Sequence, residues 1–286
     1  MIPILAGLLM AAPPTRAQAL VFLQYAHAWD TPEDDRAVEL VRRLSATDGA
    51  AFLGAVKPGS EERALVDRYL RSFDQAALLL EGGAMAPAIY FDAWYDVEGH
   101  FRRAKPWIAA LRAEAGQPGL YPGLEWLAGR AAQFWAERAK SPLPEPPPDK
   151  SPPTPEDAAL FYAFEALWSG TRDVEAEAFV QRLAREATDF AAFERLAPTA
   201  SHEYTAFDRY FCEFDQAAVL AKLGLLRVDL LASWRSAAAA WAVGKKWIVP
   251  LREKNASPHL FESIEWLARR EVATKKALAG AAAAPR

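Results

Sequence analysis

The chain has 286 residues, 52% of them hydrophobic, a formal net charge of -4 and one cysteine, Cys212. That length fills one large domain or two ordinary ones, and a lone cysteine permits no intrachain disulfide. Lys, Arg, Asp and Glu are interspersed, which excludes the broad basic field by which proteins neutralise nucleic-acid phosphates.

The chain begins with an apolar run, Ile2 to Ala12, about half of the ~20 residues that span a bilayer. Its length suits a signal-peptide core, and Ala17-Gln18-Ala19 fits a small-residue cleavage pattern, although no Lys or Arg precedes the run. Against cleavage stands Thr15, a helix N-cap candidate that would enclose Ala17 to Ala19 in a helix. The expectation is therefore an uncleaved, cytoplasmic chain, with a periplasmic or secreted form through a cleaved signal as the alternative. The apolar segment leaves membrane association open but predicts no full span.

One self-similarity dominates, at an offset near 140 residues. Asp67-Arg68-Tyr69 recurs as Asp208-Arg209-Tyr210, and Phe73-Asp74-Gln75-Ala76-Ala77 as Phe214-Asp215-Gln216-Ala217-Ala218. Trp107-Ile108 meets Trp247-Ile248, and Glu125-Trp126-Leu127-Ala128 meets Glu265-Trp266-Leu267-Ala268. The predicted organisation is an apolar segment 1–14, a helical copy at 15–140, a proline-rich linker at 141–153, a second copy at 154–277 and an Ala-rich tail at 278–286. Thr31-Pro32-Glu33-Asp34 and Thr154-Pro155-Glu156-Asp157 are identical but out of register. They read as independent helix starts, with Thr as N-cap, Pro at the first helical position and acids in the first turn. The linker holds seven prolines in thirteen residues, a semi-rigid spacer of about 40 Å.

Within copy one, helices are expected near Thr15 to Ala28 and Asp34 to Leu44. A third carries Leu65, Tyr69, Phe73, Ala76 and Leu80, with Gly83 and its counterpart Gly224 as left-handed stops. The longest follows Trp94, Val97, Phe101, Ala104, Ile108 and Leu111 at steps of three and four. Pro106 and Pro250 should kink it or mark a boundary. A last helix begins near Pro118 or Pro258. About five helices per copy and no strand pattern give an all-α fold class, two helical bundles joined by the proline-rich linker.

The residues supply no recognisable chemistry. None of His27, His100, His202 and His259 has a partner at metal-ligand spacing, and the pattern opened by His202-Glu203 fails at Ala206. They read as isolated surface or capping histidines, and Cys212 reads as a small buried apolar residue. No cofactor or metal is expected. The recurring polar residues Arg68, Asp74, Arg112 and Glu125, with Arg209, Asp215, Arg252 and Glu265, form either a pocket that grips a charged ligand or ion pairs that fix how helices cross. The second reading is favoured, since a residue needed twice is most simply needed by the fold. The recurring tryptophans Trp94, Trp107 and Trp126 read as core or interface for the same reason.

Arg102-x-x-x-Pro106-x-Ile108-x-x-Leu111-Arg112, Pro118, Tyr121 and Glu125-Trp126-Leu127-Ala128 resemble an uncharacterised bacterial all-helical domain family, often found after an N-terminal membrane helix. That resemblance implies a helical fold and no activity, substrate or catalytic residue. Here the unit is doubled. The functional expectation is a non-enzymatic helical interaction or scaffold module with a protein partner. A small-ligand or lipid-binding sensor using an inter-helix pocket is the alternative.

Overall fold

Thr15 opens the first helix, and its side chain and that of Gln18 exchange hydrogen bonds with each other's backbone N–H groups. In the computed structural model, which describes residues 13–94, 96–140, 145–146 and 151–282, fourteen helices follow in chain order. Copy one comprises α1 (Arg16–Ala28), α2 (Pro32–Leu44), α3 (Gly49–Ala55), α4 (Glu61–Glu81), α5 (Pro87–Ala93), α6 (Val97–Ala115) and α7 (Pro122–Lys140). Copy two repeats them as α8 (Pro155–Leu167), α9 (Thr171–Glu186), α10 (Phe190–Leu196), α11 (His202–Lys222), α12 (Val228–Trp234), α13 (Ala237–Lys254) and α14 (Glu262–Ala282). No strand occurs among the described residues. The apolar run Ile2 to Ala12 and most of the prolines of the linker lie outside them.

Among the described residues each copy has seven helices rather than about five. The additional pairs, α3 with α10 and α5 with α12, are seven residues long, too short to establish a 3.6-residue period in the sequence. Asp48 and Asp189 cap α3 and α10 through their side chains. Thr31 and Thr154 are both N-caps followed by Pro at the first helical position, as the two identical tetrapeptides predict. Gly83 and Gly224 adopt φ values of 68° and 70°, the left-handed conformation expected of helix stops.

Pro106 and Pro250 mark no boundary, since α6 and α13 continue through both. Trp94 is the C-cap of the preceding short helix and Trp234 the last residue of its counterpart, so neither belongs to the long helices. The last helix of each copy begins at Pro122 and Glu262, four residues beyond the expected prolines. The positions just before, Tyr121 and Phe261, both have a φ of 52°, a left-handed bend that side chains rarely adopt.

The central helices α4 and α11 organise the two bundles: α4 packs on α2 and α7, and α11 on α9 and α14. Trp107 and Trp247 are fully buried, stacked on Phe52 and Phe193 with ring centroids 5.1 and 5.9 Å apart. The copies fill one recurrent space differently. Leu70 and Ala104 of copy one correspond to Phe211 and Gly244, and a Cβ on Gly244 would lie 2.4 Å from the Phe211 ring. The larger ring is accommodated only because the opposite side chain is absent.

Candidate functional site

Six of the eight recurring polar residues fall into two constructions, each present twice. Arg112 donates through Nε to the Leu120 carbonyl at 2.9 Å, and Arg252 to the Leu260 carbonyl at 2.8 Å. Their guanidiniums also meet Glu125 at 3.2 Å and Glu265 at 3.1 Å. The planar arginine fork thus ties α6 to the bend before α7, and α13 to the bend before α14. Asp74 accepts the Gly123 N–H at 2.7 Å, and Asp215 the Ile264 N–H at 3.1 Å. These carboxylates bind free N–H groups at the starts of α7 and α14. Gly123 lies against Asp74 so closely that a Cβ would come within 2.5 Å of its Cα.

Burial raises the Asp215 carboxyl to about 7, opposed by Lys222 and by the backbone N–H groups of Ile264 and Ser263. Asp74 is raised by burial as well, with the Gly123 N–H acting against it.

Arg68 and Arg209 sit at corresponding positions with different surroundings. Arg68 donates to Asp34 Oδ2 at 2.8 Å within its own copy, and Arg209 to the corresponding Asp173 at 3.1 Å. Arg209 also reaches across to copy one, where it pairs with Asp30 and, at 3.3 Å, with Asp35. Arg172 joins the same two acids at 2.9 and 2.8 Å. Further along α2, Arg42 donates to Asp208 at 2.9 Å and to Thr205 at 3.1 Å, with its guanidinium 4.8 Å from the Tyr204 ring centre. The counterpart of Asp208, Asp67, turns inward to Arg63 and the Tyr121 hydroxyl instead.

These contacts define a junction in which α2 and α5 of copy one cover α11 of copy two, beside a contact of α1 with α8. The cover of α11 is heterologous: α2 and α5 pack on it, whereas α9 and α12 make no comparable contact with the matching face of α4, although the equivalent helices α1 and α8 meet each other. Sequence reading missed Asp30, Asp35, Arg42 and Arg172, because it weighed only residues that recur. Their register counterparts Ser169, Val174, Gln181 and Glu33 do not preserve the charge, and that failure to recur was the available signal.

The histidines divide. His259 stacks on Trp135 of copy one with ring centroids 4.7 Å apart and bonds Glu262 at 2.6 Å. His100 departs from the surface reading: its half-buried ring is bonded through Nδ1 to the Tyr69 hydroxyl. Desolvation and then the nearby Arg103 hold its imidazole down to about 4. The Cys212 thiol, partly buried on the covered face of α11, is pushed up by burial and by Asp208. Among the described residues, no three His, Cys, Asp or Glu side chains gather as a metal site, and no helix is long and apolar enough to cross a membrane.

The family model of DUF4760, a domain of unknown function, matches residues 19–131 and again residues 161–270. The chain belongs to this family. The two matches coincide with the two bundles, so α1 to α7 and α8 to α14 are tandem DUF4760 units. None of the curated proteins and none of the solved structures matches the chain.

Proposed function

We propose that this tandem DUF4760 chain is a non-enzymatic helical interaction module whose docking surface is the outer face of α4. The observation that carries this reading is the unequal cover of two equivalent helices. Val219 on α11 is 0% exposed, whereas its register counterpart Leu78 on α4 is 68% exposed. Because the units are built alike, the additional cover on α11 comes from α2 and α5 of the other unit. The same kind of face is thus occupied once within the chain and left open once.

The occupant is a different protein that presents an acid-bearing helix. Arg71, exposed on the open face, stands where copy two has Cys212. A second copy of this chain is poorly matched, because α9 and the turn before it carry Ser169, Val174 and Gln181 where α2 and the turn before it carry Asp30, Asp35 and Arg42. Without those acids, the ion pairs that seat α11 have no counterpart.

The test places a photoreactive amino acid at position 78 of the full chain in its native host. The expected product is an adduct with one distinct protein through an acidic helix, diminished by Arg71→Glu. No adduct, or an adduct only with another copy of this chain, contradicts the reading.

A further inference from the structure

Copy two contains a groove between α9 and α13, floored by α11, with a volume of about 250 Å³. Its walls include Glu177, Val180, Tyr210, Arg235, Ala240 and Val243. In copy one the positions of Ala240 and Val243 hold His100 and Arg103. The His100 ring takes the space beside Tyr69, the counterpart of Tyr210, and Arg103 turns to Asp96 at 2.9 Å. Val180, Tyr210 and Phe214 recur as Val41, Tyr69 and Phe73, whereas most of the other lining residues, Glu177 and Arg235 among them, differ between the copies. By the logic that assigns shared residues to the fold, residues altered in one copy alone are the candidates for a separate task.

The groove has a charged end and an apolar end. Arg235 donates to Glu177 at 2.8 Å and to Glu213, and its guanidinium lies 5.1 to 5.3 Å from the ring centres of Tyr210, Phe214 and Trp234. Glu213 is 0% exposed, with Oε1 unpartnered, and burial raises its carboxyl to about 8 despite Arg235. Near neutral pH a protonated Glu213 leaves the guanidinium only partly neutralised. Glu177 is 44% exposed and so has freedom to re-pair. From this end, α9 and α13 advance together toward Ala184 and Val243, which with Val180 and Ala240 line the rest of the groove. A fixed cation, a movable anion and an apolar trough in a small cavity call for a ligand carrying both charges on one head.

We propose that this groove binds a small zwitterion with an apolar tail, the chemistry of an apolar α-amino acid. Its carboxylate pairs with Arg235, its ammonium with Glu177, and its tail lies against Val180, Ala240 and Val243. The site is separate from the α4 face, so either assignment stands or falls without the other.

Titration calorimetry of the full chain tests it, with L-leucine as probe and two analogues, 4-methylpentanoate without the ammonium and isopentylamine without the carboxylate. Saturable binding of leucine is expected, with each analogue at least about tenfold weaker, the ratio that one lost head-group contact of ~1.4 kcal/mol produces. Ala240→His, which restores the copy-one residue, should abolish binding while Leu78→Ala leaves it unchanged. Val243→Arg at the half-buried rim serves as a second filling variant if Ala240→His does not fold. No saturable binding of leucine, analogues that bind as well as leucine, or undiminished binding in the folded filling variant would overturn the proposal.

Discussion

Leu78 and Val219 occupy one register position on equivalent helices, yet the first is 68% exposed and the second 0%. Their difference measures how the copies associate. An isologous pairing would have covered both or neither, whereas a heterologous one covers a single member of an equivalent pair. The other end shows the same asymmetry: Asp35 is engaged by Arg172 and Arg209, and its counterpart Val174 is 65% exposed.

Arg209 should matter more to stability than Arg68. Arg209 is 9% exposed and held by Asp30, Asp35 and Asp173. Removing it takes from Asp173 its cation and leaves Asp30 and Asp35 to Arg172 alone, at a cost of about 3 kcal/mol. Arg68, 34% exposed, should cost about 1 kcal/mol or less on removal. Urea unfolding of Arg209→Ala and Arg68→Ala gives the ranking, and a larger loss for Arg68→Ala would show that the junction contributes little.

The exchange between Leu70 with Ala104 and Phe211 with Gly244 is testable as a compensated pair. Gly244→Ala drives a methyl group into the Phe211 ring and should cost about 1–3 kcal/mol. Phe211→Leu should recover most of that loss, because it recreates the copy-one combination. Thermal unfolding of the single and double variants reads the coupling, and additive losses would contradict it.

Local features of the fold are legible in the sequence. The capping residues Thr15, Thr31 and Thr154, and the glycines Gly83 and Gly224, act on their neighbours in the chain, so their roles follow from those neighbours. The tandem units are legible because Asp74, Arg112 and their partners fix the same contacts twice. The short helices α3 and α5 are hidden because seven residues give less than two full periods. The junction is hidden for another reason. Asp30, Arg42 and Arg172 join segments more than 140 residues apart or on different copies, and nothing in local pattern says which exposed charge will find a partner. The groove beside Arg235 is hidden too, since small apolar residues such as Ala240 and Val243 carry no signal of their own in a helix.

Asp215 should give the protein a recognisable pH dependence. Its folded-state carboxyl is raised to about 7 from 3.8 by burial, so the folded chain holds a proton that the unfolded chain has released. The stabilisation it confers is full below about pH 4 and is lost as pH rises through 7, a change of a few kcal/mol at most. Asp215→Asn keeps an oxygen for the Ile264 N–H but cannot ionise. Melting temperatures should therefore move in favour of the variant between pH 5 and pH 8.5, roughly the window set by the two ionisation ranges. A difference independent of pH would mean that Asp215 is ionised throughout.

The unequal cover of α4 and α11 is tested most directly by thiol accessibility. Cys212 lies on the covered face of α11, and Arg71→Cys places a second thiol at the corresponding point of the open face of α4. A thiol reagent followed by peptide mapping should modify position 71 promptly in the folded chain and leave Cys212 unmodified until the junction opens. Equal modification of the two positions, or faster modification of Cys212, would contradict the heterologous packing and with it the docking surface assigned to α4.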